Sequence, residues 1–261
     1  MNTLLKVNNL TKHFGGLTAV DHVSLDIQIG EAVGVVGDNG AGKSTLIKMI
    51  SGVYQPDDGE IIFNDQKVMF NGPRDARESG IETIYQDLAL AENLDVGSNI
   101  FLGREIKHSY LGGMIHTLNR PKMLEESAQI LSRLDIHIPS LTQHIRNLSG
   151  GQRQAVAIAR SIYWNAKMVI MDEPTAALGV SEQHKVLSLV RTLVDQGVPV
   201  IIISHNMQDV FAVADRIIVM RRGKKVGELV ARDSTPDEVV SLMVGAEAVH
   251  KMGVLPKKIS G

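Results

Sequence analysis

Three short, almost continuous apolar runs stand out along the chain: "EAVGVVG" (Glu31–Gly37), "KMVIMDE" (Lys167–Glu173) and "VPVIIISH" (Val198–His205). Runs this short and this rich in Val and Ile predict strands buried on both faces of a parallel sheet. Each is followed by a helical period. "KSTLIKMIS" follows the first, "NMQDVFAVA" the third, and "SEQHKVLSLVRTLVDQ" the second, with Val186, Leu189, Val190 and Leu193 on one face. The repeated strand-then-helix order predicts an α/β, doubly wound core.

The flanking regions carry other periods. "VNNLTKHFGGLTAVDHVSLDIQ" and "GEIIFNDQKVMF" alternate apolar with polar residues around turn pairs such as Asn64-Asp65, which predicts antiparallel strands beside the parallel core. Between about 91 and 165 strand-like runs vanish. "PKMLEESAQILSRLDI" places Met123, Leu124, Ala128, Leu131 and Leu134 on one helical face, and Gly103–Arg120 shows no period, which suggests an irregular loop. The expected organisation is one domain over 1–245, with a core at 1–90 and 165–245, an inserted helical subdomain at about 91–164, and a mobile tail at 246–261.

Composition narrows the function classes. Among 261 residues, 27 Lys and Arg stand against 29 Asp and Glu, a net charge of −2, so nothing marks a nucleic-acid partner. The chain has no cysteine, which excludes disulfides, thiolate metal sites and cysteine nucleophiles. No apolar run approaches the roughly 20 residues that span a bilayer, and the start of the chain lacks the apolar stretch of a signal peptide. Any membrane role is expected to run through a partner.

The chemistry is concentrated where strands end. "GDNGAGKST" (Gly37, Asp38, Asn39, Gly40, Ala41, Gly42, Lys43, Ser44, Thr45) matches G-x-x-x-x-G-K-[ST] between a buried strand and a helix. Its glycines let the backbone wrap a phosphate, and the helix N-terminus adds its positive dipole end. Lys43 is placed to reach the β- and γ-phosphates, the Ser44 hydroxyl to ligate Mg²⁺, and Thr45 to support the phosphate side. Asp172 and Glu173 end the second buried run, at the sheet edge where open α/β folds hold ligands. Asp172 suits the metal, and Glu173 suits a base or orienter for the attacking water. His205 follows the third run, where it could touch the γ-phosphate or the water. Gln86, after "IETIY", carries an amide able to serve Mg²⁺ and water together.

A second helix start also seeks an anion. In "LSGGQRQAVAIARSI", Ser149 is the cap, Gly150 and Gly151 allow close approach, and Ala155, Val156, Ile158, Ala159 and Ile162 follow at helical spacing. One triphosphate loop with two such starts is reconciled if the second serves the nucleotide of another subunit in a sandwich dimer.

In these motifs, their order and their spacing, the sequence resembles the ATP-binding subunits of ABC transporters over nearly its whole length. "GDNGAGKST" is similar to Walker A, "YQDLAL" to the Q-loop, "LSGGQ" to the family signature, "VIMDE" to Walker B and "ISH" to the switch-histidine segment. The resemblance implies a P-loop NTPase with a RecA-like parallel core, an antiparallel β subdomain and an inserted α-helical subdomain. It implies ATP and Mg²⁺, with Phe14 stacking on adenine, and head-to-tail dimers in which Ser149, Gly150, Gly151 and Gln152 touch the ATP of the opposite subunit. Longer stretches, such as "FNGPRDARESGIETIYQDLALAENLDVGSNIFLGRE", resemble monosaccharide importers of the ribose and fructose type, most of all their single-unit ATPases. That implies a homodimer on the cytoplasmic face of the cell membrane with two integral-membrane permease subunits and a sugar-binding protein. The rival readings are an exporter ATPase and a nucleic-acid- or ribosome-associated ABC ATPase; for the latter no fused second unit, coiled-coil insert or basic surface is found. One position departs from the family pattern, since Gly179 stands where an aspartate is usual. A carboxylate lost there removes a cross-dimer hydrogen bond worth about 1 kcal/mol.

Overall fold

The computed structural model of the chain describes residues 3–110 and 115–245. The first half runs β1 (Thr3–Phe14), β2 (Leu17–Gln28), β3 (Ala32–Val36), α1 (Lys43–Ile50), β4 (Asp58–Phe63), β5 (Gln66–Val68), α2 (Pro73–Ser79), β6 (Ile81–Ile84) and α3 (Val96–Ile100). There follow β7 (Lys107–Tyr110), β8 (Ile115–Leu118), α4 (Arg120–Arg133), α5 (Gly150–Tyr163), β9 (Met168–Asp172) and α6 (Val180–Asp195). The described chain closes with β10 (Val200–Ile203), α7 (Met207–Val213), β11 (Arg216–Arg221), β12 (Lys224–Val230) and α8 (Pro236–Val244).

The three apolar runs become β3, β9 and β10, all parallel, inside a six-stranded sheet of order β12-β11-β3-β10-β9-β6. Their continuous apolar character follows from burial of both faces. Val33, Val35, Ile170, Ile201 and Ile203 join the cluster shared with α1 and the small sheet, while the alternate residues Ala32, Val169, Met171, Val200 and Ile202 pack with residues of α4, α5 and α6. The alternating segments form a separate antiparallel sheet of order β2-β1-β4-β5. Asn64 and Asp65, at φ +52° and +60°, make the two-residue turn between β4 and β5, a conformation their short polar side chains tolerate. Arg216 of β11 ties the two sheets, donating from Nη2 to the Asp26 carbonyl at 2.6 Å and from Nη1 to Glu228 Oε1 at 2.6 Å.

Two expectations are corrected. Gly103–Arg120 is not an irregular loop throughout, because β7 and β8 pair antiparallel from Lys107↔Leu118 to Tyr110↔Ile115. Lys107, His108, His116, Thr117 and Leu118 are exposed, so among the described side chains no buried face imposes a period-2 signal there. On α4 the buried stripe is Met123, Ser127, Ile130 and Leu131, and Ala128 is exposed. The stripe turns because α3 packs on it closely: a Cβ on Gly97 would stand 2.7 Å from Leu124 Cδ2, and the small Ser127 leaves room for that approach. The strand "RIIVMR" (β11), beside β3, and the exposed-edge strand β12 complete the sheet on the side the periodicity reading left unassigned. The tail expected at 246–261 lies outside the described residues.

Candidate functional site

The parallel register brings three loops to one sheet edge. Ile203 of β10 pairs with Val35 of β3 and with Asp172 of β9, so the glycine loop after β3, the acids at the end of β9 and Ser204-His205 after β10 are neighbours. Beside β9, Ile84 of β6 pairs with Met171, which brings Gln86 to the same edge.

The loop from Gly37 to Gly42 can be built only with glycine at two of its positions. A Cβ on Gly37, at φ +153°, would stand 2.3 Å from the Met220 carbonyl oxygen, and one on Gly42, at φ +101°, 2.5 Å from that of Ala19. Gly42 is also the N-cap of α1 and supplies no side-chain acceptor, so the first-turn amides of Lys43, Ser44 and Thr45 have no cap partner. This is the amide-lined, positively polarised pocket an anion requires. Asp38, Asn39, Gly40 and Ala41 complete the loop, with Gly40 at φ +79°. The Lys43 ammonium donates to the carbonyls of Gly37 at 2.6 Å and Asp38 at 3.0 Å.

Electrostatics place Lys43 and the acids in one locus. Burial holds the Lys43 pKa below the usual lysine value, opposed by the fields of Glu173, Asp38 and Asp172. Burial likewise raises the Asp172 carboxyl, helped by the charge of Glu173 and opposed by Lys43 and Lys48. Glu173 takes φ +52°, a left-handed conformation unusual for a side chain of its kind, and its N–H donates to the Ile203 carbonyl at 2.8 Å. His205 meets it twice. Its backbone N–H donates to Glu173 Oε1 at 3.1 Å, and its ring Nδ1 lies 2.9 Å from the same oxygen. The ring is otherwise open, with its side chain 78% exposed.

The remaining sequence-derived residues stand apart. Gln86 is exposed, and no contact among the described residues joins it to the acids. Phe14, 43% exposed, packs edge-on against Tyr54 at 5.2 Å between centroids. Ser149 caps α5 in a reciprocal box: its Oγ accepts from the Gln152 N–H at 3.3 Å while Gln152 Oε1 accepts from the Ser149 N–H at 3.0 Å. Ser149, Gly150, Gly151 and Gln152 make no contact with the glycine loop among the described residues. They face α6, where the Ser149 hydroxyl, and after it the amides of Gly151 and Gly179, hold the Glu182 carboxyl below its ordinary range.

Sequence reasoning missed several supports. Ser204 Oγ donates to Glu173 Oε2 at 3.4 Å, and the buried Thr175 hydroxyl donates to the Asp209 carboxylate of α7, fixing the turn after the acids. Glu182 and Arg160 belong with them. These side chains serve residues that only the fold brings near, so no spacing rule finds them.

A family model described as ABC transporter matches residues 20–176. The chain is 50% identical to the xylose/arabinose import ATP-binding protein of Sulfolobus acidocaldarius, covering 93% of this chain and 94% of that one. It is 45% identical to the fructose import ATP-binding protein of Rhizobium meliloti, over 94% and 95% of the two chains. A nucleotide-free ATP-binding cassette from an ABC transporter superposes with a TM-score of 0.79 at 29% identity, covering 94% of this chain and all of the other. A dimeric bacterial ABC transporter cassette does so with 0.72 at 25% identity, covering 88% and 99%. With a matching family model over more than half its length and relatives this similar end to end, the chain belongs to the ABC transporter family.

Proposed function

We propose that this chain is the ATP-hydrolysing subunit of an importer that takes up a monosaccharide of the fructose, ribose or pentose kind. The contact of Glu173 with His205, beside Lys43 and Asp172, carries the proposal, because it joins a phosphate cradle to a group able to handle water. The sugar class is supported by the names of the relatives, which are import proteins for xylose or arabinose and for fructose.

The cradle fits a nucleoside triphosphate, since the loop's close backbone packing and the uncapped amides of α1 leave donors for phosphate oxygens. Lys43 neutralises the β- and γ-phosphates, giving up its bonds to the Gly37 and Asp38 carbonyls to do so. Ser44, Gln86 and Asp172 would hold Mg²⁺, which when bound neutralises phosphate charge. They are hard oxygen donors, and among the described residues no group of three or more His, Cys, Asp or Glu forms a cage, as suits an ion whose other ligands are phosphate and water. Glu173 Oε1 orients the attacking water, and His205 holds that carboxylate while its exposed ring is free to meet the γ-phosphate. Phe14 offers its exposed ring to adenine.

Ser149, Gly150, Gly151 and Gln152 complete the site of a second copy, which accounts for an anion-seeking helix start that its own glycine loop does not use. The import function named for the relatives supports a reading with two permease subunits, a sugar-binding protein and a peripheral place on the cytoplasmic face of the cell membrane; among the described residues no helix is long and apolar enough to cross a membrane. No nucleic acid is involved. The division into a core of 1–90 and 165–245 and a helical subdomain of 91–164 belongs to this proposal, supported by the packing of α3 against α4 and α5.

Substituting Glu173→Gln tests the reading. Turnover of ATP by the assembled transporter is expected to fall by about 10²-fold or more while ATP binding is kept and the ATPase subunits remain paired. Turnover close to that of the parent would remove Glu173 from its role.

A further inference from the structure

Gln86 lies on the segment that leaves β6 and passes beside α5. Arg160, near the C-terminal end of α5, grips this segment with both arms of its guanidinium. Nη2 donates to the Leu88 carbonyl and Nη1 to that of Ala89, each at 2.9 Å. Ala89 sits at φ +48°, a left-handed conformation that persists in a residue with a Cβ only where its surroundings impose it. The guanidinium is fixed in turn, with its Cζ 5.7 Å from the Trp164 ring centroid, and Arg104 lies over the same ring at 4.6 Å. Nearby, the buried Glu82 of β6 has an Oε1 without a hydrogen-bond partner among the described residues. Burial raises its carboxyl, against the fields of Arg77, Arg104 and Arg160.

We infer that Arg160 is a positioning residue for Gln86: by holding the Leu88 and Ala89 carbonyls it fastens the segment that carries Gln86 to the helix whose first turn is Gly150–Gln152. Ten residues of helix, about 15 Å, separate Gly150 from Arg160. A displacement of the α5 start by a second subunit's nucleotide therefore reaches the Gln86 segment through one rigid element. This rests on the assignment of Gln86 proposed above and adds the residue that places it. Arginine suits the task because its planar fork meets two carbonyls at once, which a lysine ammonium does with less directional hold.

The test is a double-mutant cycle on ATP turnover by the assembled transporter, with Gln86→Ala, Arg160→Gln, Arg160→Lys and the combined variants. Arg160→Gln is expected to lower kcat by roughly tenfold or more with KM for ATP within about twofold, and Arg160→Lys to recover part of the loss. In the Gln86→Ala background, Arg160→Gln is expected to cost nothing further. If Arg160→Gln does not fold, Arg160→Lys carries the same cycle. Full multiplication of the two losses, with Gln86→Ala itself slow, overturns the inference and leaves the assignment of Gln86 standing. An unchanged kcat in Gln86→Ala removes that assignment and the inference with it.

Discussion

Glu173 stands in a left-handed conformation that costs a non-glycine residue on the order of 1–3 kcal/mol, and three bonds hold it there: its amide to Ile203, and its carboxylate to the amide of His205 and the hydroxyl of Ser204. The strain aims the carboxylate across to β10 instead of along β9. Six residues on, Gly179 presents the opposite case, a glycine whose backbone needs none of glycine's freedom. It takes φ −68° and ψ 157°, is the N-cap of α6, makes no side-chain cap, and would meet nothing within 4 Å with an added Cβ. Gly179→Asp therefore fits without strain. The cap is worth only a few tenths of a kcal/mol over glycine, and the like charge of Glu182 three residues on offsets it, so the melting temperature is expected to move by no more than about 1 °C. If the loop faces a second copy, the new carboxylate adds a cross-dimer bond of about 1 kcal/mol, roughly a fivefold change in the affinity of the second site for ATP. The Hill coefficient should rise while single-site affinity holds; a large loss of ATP binding at constant Hill coefficient would contradict this.

The elements differ in what makes them legible. β3, β9 and β10 could be read directly because burial on both faces leaves only apolar residues along them up to Asp172 at the end of β9, and α6 because Val186, Leu189, Val190 and Leu193 share its buried face. β7 and β8 could not, since Lys107, His108, His116, Thr117 and Leu118 are all exposed and show no alternation. Of the candidate site, the glycine loop and the acids were legible because each is a contiguous string at the end of a buried apolar strand. Ser204, Thr175, Glu182 and Arg160 were not, because they answer to contacts between elements distant in sequence. β6 shows the same limit, as its Glu82 is a charged residue buried in the sheet. Its raised carboxyl means that the folded state holds the proton more firmly than the unfolded chain does. The contribution of Glu82 to stability is then fully present below the ordinary glutamate range and is lost as pH rises through the elevated value. Glu82→Gln, isosteric and uncharged, abolishes that loss, although Arg77, Arg104 and Arg160 lose a counter-charge. Melting curves are expected to show the variant gaining on the parent as pH rises from about 4.5 to neutrality. A variant that falls progressively behind the parent over that interval would show that the arginines, and not burial, govern the site.

At the scale of the whole molecule, the position of Ser149 matters more than its chemistry. Within one copy Ser149 and Lys43 share no contact among the described residues; if the two act on different ATP molecules of a dimer, as proposed above, each site is built from two chains. A two-fold dimer then has a specific consequence. A chain carrying Lys43→Ala spoils the site whose loop it provides, and one carrying Ser149→Arg spoils the site of its partner. Homodimers of either variant contain two damaged sites. A mixed dimer gathers both lesions into one site, made from the loop with Lys43→Ala and the helix start with Ser149→Arg, and leaves the other site with an intact loop and an intact helix start. In an equal mixture half the dimers are mixed, so about a quarter of the parent's ATP turnover should return if the sites work independently. A smaller return, with mixed dimers present in the expected proportion, measures how far one site waits on the other, and Gly179→Asp in both chains should deepen that dependence. If ATP turnover in the mixture never exceeds the average of the two variants alone, each site is complete within one chain, and the capped start of α5 is then a structural feature of the helical region with no nucleotide to serve.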